Sequence, residues 1–315
     1  AMDSGWYTLF IPEPQMLFTD FGSQTAMWHD ILVTLLKGYV EKVYNNAKSR
    51  WMSRNVETAY LDSSHPNFEE EYRVLMHKEL FKNEDEAGFY KAINRLKKEL
   101  TEGTFSKSIK IANSNDFEAL CIAGHLYQPL LYLNESNFKH KELGNLIEVQ
   151  PVALNKGERD FVCDIQRFFD NNPAFFEGKS LYLLRNKSRK GIGFFDDSGF
   201  YPDFIVWLVV GEHQYVSFID PKGIRNLNGF SDSKIQLHKV IREDIEPGLH
   251  DASITLNSYI ISNTEIKDVK HWVDFPELDL SSKQKKFNEH HVYFQGDQKD
   301  SYIQLILENM ISSSK

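Results

Sequence analysis

Phe200-Tyr-Pro-Asp203-Phe-Ile-Val-Trp-Leu-Val-Val210, then Gly211-Glu-His-Gln214, then Tyr215-Val-Ser-Phe-Ile-Asp220-Pro-Lys222-Gly223 is the stretch that decides the fold. Two apolar runs flank a four-residue polar loop containing glycine, the signature of a β-hairpin. Both runs are apolar on both faces, so the strands are expected to be central and buried. Pairing them symmetrically about the loop puts Val210 opposite Tyr215 and Lys222 opposite Asp203. Asp220, two residues from Lys222, shares its face because strand side chains alternate. Two carboxylates and one ammonium are thus expected to converge at one end of one face. A slip of one residue would undo the arrangement.

Carboxylates this close repel each other unless a divalent cation neutralises them, and all-oxygen ligation favours Mg²⁺ or Mn²⁺. A lysine beside them can orient or deprotonate a water, or offset charge growing on a phosphate. Upstream, Phe161, Val162, Ile165, Phe168 and Phe169 follow Glu158 at helical spacing, so Glu158 is expected to point at the sheet from a helix N-terminus. Two roles stay open for it. It can serve as a further metal ligand or hold the attacking water, or it can be the third residue of a capping box on Asn155, which needs no metal. The acidic-x-Lys tripeptide alone says little, since Asp232-Ser-Lys234 and Glu265-Ile-Lys267 also have it. Asp220-Pro-Lys222 gains weight by ending an apolar strand, one strand after the sole Pro-Asp dipeptide of the chain.

The remainder of the 315 residues frames this centre. With 41% hydrophobic and 26% charged residues the chain reads as one large or two small domains. Its net charge of −9 is spread without a basic module, which excludes the global footprint of a tight nucleic-acid binder and leaves only local patches. One such patch is Arg185-Asn-Lys187-Ser-Arg189-Lys190, either a phosphate clamp or a solvated loop balancing Asp196 and Asp197. No apolar run approaches the roughly 20 residues that cross a bilayer. Cys121 and Cys163 are too few for a disulfide scaffold, so a reduced, cytoplasmic setting is expected. Ala1-Met2 reads as an added dipeptide ahead of a fragment. The chain has no P-loop, H-E-x-x-H, C-x-x-C or G-x-S-x-G, and His290-His291 lacks a third ligand at zinc spacing and reads as surface.

Residues 1–107 are expected to form a helical packing or docking module. A stripe from Trp28 to Tyr44 marks one long helix, and further helices are expected over Asn67–Phe81 and Glu84–Leu100. From 108 to 315 the texture is strand and turn: Leu126–Leu133, Ser180–Leu184, Phe204–Val210, Tyr215–Ile219 and Ser253–Ile261. Helices are expected over Gly157–Asp170, Ser231–Ile245 and Tyr302–Ile311. The fold class expected is α/β (α+β), with a central mixed sheet flanked by helices following the helical module.

Glu158 on a helix, Pro202-Asp203 opening one strand and Asp220-Pro-Lys222 ending the next resemble the PD-(D/E)xK nuclease superfamily. His125-Leu-Tyr-Gln-Pro-Leu-Leu131, Pro151 through Val162, Tyr182-Leu-Leu-Arg-Asn186 and Phe200 through Gly223 are similar to the C-terminal nuclease region of type III restriction endonuclease subunits and of related DEAD/DEAH helicase–nucleases of bacterial phage defence. The resemblance covers about residues 120–245. It implies a restriction-endonuclease-like core and Mg²⁺-dependent hydrolysis of DNA phosphodiesters, leaving a 5′-phosphate. Asp203 and Asp220 would be metal ligands, Glu158 would assist, and Lys222 would stand at the attacking water. Lys234 and Gln236, on the helix after Lys222, are secondary candidates. Such proteins carry an ATP-driven helicase or translocase, which this chain lacks, so the motor would be another part or subunit. A catalytically inactive DNA-binding or docking module and an RNA-directed nuclease are the alternatives.

Overall fold

The computed structural model describes residues 20–53, 61–62, 64–69, 71–112, 115–122, 129–188, 190–193, 201–225, 227, 229–269, 278–299 and 301–312. In chain order the elements are α1 (Phe21–Ser53), β1 (Arg73–Met76), α2 (Glu86–Thr101), β2 (Ile109–Lys110), β3 (Phe117–Leu120), β4 (Leu130–Leu133), β5 (Lys139–His140), β6 (Gly144–Asn145) and β7 (Ile147–Gln150). They continue as α3 (Lys156–Asn171), β8 (Lys179–Arg185), β9 (Phe204–Val210), β10 (His213–Lys222), α4 (Ser233–Val240), β11 (Ile254–Ser262), α5 (Leu280–Glu289), β12 (Val292–Phe294) and α6 (Tyr302–Ser312). The mixed α/β class expected from the sequence is what these elements form. Among the described residues no helix is long and apolar enough to cross a membrane.

The central sheet has five strands in the order β8-β9-β10-β11-β12. The two hairpin steps are antiparallel, and β10–β11–β12 are parallel. A parallel step needs a crossover, and α4 with the turns after it supplies the one between β10 and β11. Both faces of the hairpin are covered, as continuous apolar strands require. Phe204, Val206, Leu208 and Ile219 pack with Phe161, Val162 and Ile165 of α3 and with Tyr302, Ile303 and Ile306 of α6. Ile205, Val216 and Phe218 face the other way, onto Leu237 of α4 and Ile241. The rings of Phe161 and Phe204 lie 5.2 Å apart and both side chains are fully buried, each worth roughly 1.5–3 kcal/mol of transfer free energy. This seals α3 to the hairpin and fixes where Glu158 sits.

Some expectations are corrected. The helix expected over Asn67–Phe81 is instead the strand β1 followed by a short 3₁₀ turn, Lys78–Lys82. Tyr72, Val74 and Met76 alternate with exposed Leu75 along it, and β1 pairs with β7, some 75 positions away in the register Arg73 to Gln150. That long-range partner overrides a pattern that also fitted a helix. The long helix expected from the stripe Trp28 to Tyr44 is present as α1, and Trp28, Leu32, Leu36, Tyr39, Val40, Val43 and Tyr44 on it are exposed. His290 and His291 are packed rather than superficial, their rings stacked on Phe230 and on His238 and Tyr259. The expected strand Leu126–Leu133 begins at Leu130, and 126–128 lie outside the described residues. A second apolar cluster, from Leu80 and Phe89 through Phe105, Ile109 and Phe117 to Phe138 and Ile147, packs continuously across residue 107.

Candidate active site

The hairpin closes more tightly than symmetric pairing about four loop residues predicts. Val210 stands opposite His213, leaving Gly211-Glu212 as a two-residue turn. Gly211 takes φ 61° there, the positive φ that a tight hairpin turn requires and that glycine adopts without a Cβ penalty. The register therefore differs by two residues from the expected one. A shift of two preserves every face, so the convergence survives with one change of partner. The ladder ends at Phe204 opposite Ile219, which sets Asp220, not Lys222, across from Asp203.

Asp220 is buried, with 6% of its surface exposed. Its Oδ2 accepts from Lys222 Nζ, and its carboxyl lies within hydrogen-bonding reach of Asp203. Burial, then the facing Asp220, then Glu158 push the Asp203 carboxyl up to about 8, against a smaller opposing pull from Lys222. Asp203 therefore keeps its proton near neutral pH, as one member of a close carboxylate pair does. Burial lowers the Lys222 ammonium, and the Lys234 ammonium beside it lowers it further, while Asp220 pulls the other way. Lys234, from α4, is thus brought to the cluster.

Of the two roles left open for Glu158, the structure shows the capping box. Asn155 caps α3, its Oδ1 accepting from Glu158 N at 3.0 Å while Glu158 Oε2 accepts from Asn155 N at 3.3 Å. The same Oε2 accepts from Arg185 Nη2 at 3.2 Å. Burial raises the Glu158 carboxyl, Arg185 lowers it, and the charge of Asp220 raises it again, which places Glu158 in the field of the carboxylate pair. Arg185, at the end of β8, also donates to the carbonyls of Val152 and Ala153. It locks the chain entering α3 and neutralises Glu158, rather than standing free for a phosphate.

The rest of the basic loop divides. Lys187 Nζ pairs with Glu69 at 2.7 Å, Lys190 is exposed, and Arg189 lies outside the described residues. Gln236 donates to the Phe230 carbonyl, which makes it a helix-start contact. Sequence reasoning missed Asn67 and Asn186. Asn186 donates through Nδ2 to the Pro202 carbonyl at 2.9 Å and through its backbone N–H to the Asp203 carbonyl at 2.8 Å. Asn67, fully buried, donates to Asn186 Oδ1 at 2.9 Å and accepts from Lys187 N at 2.8 Å. Together they fix the peptide that carries Asp203, and a partner 119 positions away leaves no local signal.

Among the described residues no three His, Cys, Asp or Glu side chains gather closely enough to hold a metal ion alone. A facing pair of hard oxygen donors still suits Mg²⁺ or Mn²⁺, because Mg²⁺ is commonly held by one or two carboxylates with water and substrate phosphate completing its shell. The residues present fit such an ion, which Asp203 and Asp220 would hold with Glu158 close by.

Searches of protein-family models, curated proteins and solved structures found no match to this chain. The geometry of the cluster is therefore what any functional reading stands on.

Proposed function

We propose that this chain is a Mg²⁺-dependent nuclease that hydrolyses DNA phosphodiester bonds at Asp203, Asp220, Glu158 and Lys222. The observation that carries the reading is the facing Asp203–Asp220 pair with Lys222 bonded to Asp220, all at one end of a buried hairpin. Asp203 and Asp220 would hold Mg²⁺ or Mn²⁺, whose positive charge would offset the two carboxylates and polarise the phosphate. Lys222 Nζ orients the attacking water. In its neutral amine form, which burial and Lys234 favour, it takes the proton as the water oxygen bonds to phosphorus. The bond from phosphorus to the leaving oxygen breaks, and that oxygen takes a proton from solvent. Arg185 holds Glu158 in place from one side of the site, and Asn67 and Asn186 hold the Asp203 peptide from the other.

The sequence resemblance supports a place as the nuclease part of a bacterial anti-phage or restriction system, with an ATP-driven helicase or translocase in another part or subunit. The test is cleavage of circular DNA, single- and double-stranded, by wild type and by folded Asp220→Ala/Lys222→Ala. The reading expects cutting by wild type in Mg²⁺ or Mn²⁺, none in EDTA, and none by the variant. Undiminished cutting by the variant, or DNA binding with no cutting under any divalent cation, overturns it. The latter result would favour the non-catalytic module, and preference for RNA circles would redirect the substrate.

A further inference from the structure

Beside the cluster lies a groove of about 930 Å³, lined by Lys156, Gly157, Gly223, Arg225, Asn263 and Lys299 among others. It opens at the C-terminal ends of the parallel strands β10 and β11, where crevices of α/β sheets take their ligands. Gly157 and Gly223 are the chain neighbours of Glu158 and Lys222, which themselves do not line the groove. Asn263 does line it, and its backbone N–H donates to the Lys222 carbonyl at 3.2 Å. A Cβ at Gly157 would lie 3.1 Å from Asn263 Nδ2, and one at Gly223 would lie 3.3 Å from its Oδ1. Side chains at either glycine would crowd Asn263 on the groove wall.

The lining is polar and carries no aromatic ring. Its four acids already face cations: Asp160 with Arg159, Asp164 with Arg167, Asp268 with Arg225 and Glu265 with Lys267. Lys156 and Lys299 are exposed and have no ion-pair partner among the described residues. The Arg225–Asp268 pair is itself exposed at 3.1 Å, a weak contact that a phosphate can replace. Cations contact a phosphodiester backbone without reading its sequence. The volume is that of a small-molecule cleft, whereas duplex DNA, whose major groove alone is about 12 Å wide, is too broad to sink into it.

Resting on the nuclease reading above, we infer that a single nucleic-acid strand, held by its phosphates, runs from the Asp203–Asp220–Lys222 cluster past Asn263 into this groove. The substrate class is therefore unpaired strands or ends, without base preference. The test compares wild type with Lys156→Glu/Lys299→Glu, both exposed positions, with thermal melts checking the fold. Binding of a short labelled single strand is measured in EDTA across a salt series, beside the matched duplex, and cleavage of the same strand is measured in Mg²⁺.

Wild type is expected to bind the single strand more tightly than the duplex. The variant is expected to lose about tenfold in affinity at low salt, with a log–log salt slope shallower by roughly 1.4, for two phosphate contacts at about 0.7 each. Equal affinity and slope in the two proteins, or duplex bound as tightly as single strand, overturns the inference. Cleavage by wild type with kcat/KM unchanged in the variant refutes the groove and leaves the nuclease standing. Lysine-dependent strand binding without cleavage in Mg²⁺ or Mn²⁺ keeps the groove and refutes the nuclease.

Discussion

Replacing Asp203 by asparagine should stabilise the metal-free protein, and more so as pH rises. In the folded chain the Asp203 carboxyl keeps its proton up to about 8, against an ordinary value of 3.8. The unfolded chain has lost that proton across the whole interval. Stability therefore falls as pH climbs from the carboxylate range to about 8, by roughly 1.4 kcal/mol for each pH unit. At pH 7 the ceiling is about 4 kcal/mol, and water entering around the site would reduce it to about 2 kcal/mol. Asparagine is neutral in both states, matches the shape of the protonated acid, and can donate its amide N–H to Asp220. Urea and thermal unfolding of wild type and Asp203→Asn in EDTA, from pH 4 to pH 9, read the difference directly. The variant should match wild type near pH 4 and be more stable above pH 7. Saturating Mg²⁺ should shrink or reverse the gap, because it stabilises only a protein that binds it. A pH-independent gap, or a variant less stable than wild type at pH 8 in EDTA, would refute the reasoning about the acid pair.

Other perturbations follow from the same contacts. Asn67→Ala strips two hydrogen bonds from a fully buried network and should cost about 1–3 kcal/mol in urea unfolding, with activity falling as the Asp203 peptide loosens. Arg185→Leu leaves Glu158 buried without its cation and two carbonyls without a donor. A loss of about 3–5 kcal/mol is expected, and a loss below 1 kcal/mol would show the ion pair to be dispensable. Lys234→Gln removes a like charge beside Lys222, so the Lys222 pKa rises and the ascending limb of the pH–rate profile moves to higher pH. A limb that stays put, or moves to lower pH, contradicts the assignment of Lys222 as proton acceptor.

The parts of the fold legible in the sequence were those with unbroken local signals. Phe204–Val210 carries no polar interruption and is the strand expected, residue for residue. The apolar stripe from Phe161 to Phe169, led by Glu158 and capped by Asn155, marked α3 to within one residue at each end. What failed depended on distant partners or on turn chemistry. The hairpin register turned on Gly211 adopting a positive φ, which let His213 and Gln214 join β10 rather than the loop. β1 looked helical until β7 was there to pair with it. In the site, Asp203, Asp220 and Lys222 could be placed by strand parity alone, since parity survives a two-residue shift. Lys187 reads as a phosphate contact until Glu69, far away in sequence, takes it, and the Asn67–Asn186 link has no local signature at all.

The most direct measurement is the anomalous scattering of Mn²⁺ soaked into crystals of the protein. The account predicts one strong peak between the carboxylates of Asp203 and Asp220, absent from Asp203→Asn crystals soaked in the same way. No peak at those carboxylates in the wild type, with Mn²⁺ bound elsewhere or nowhere, would contradict it.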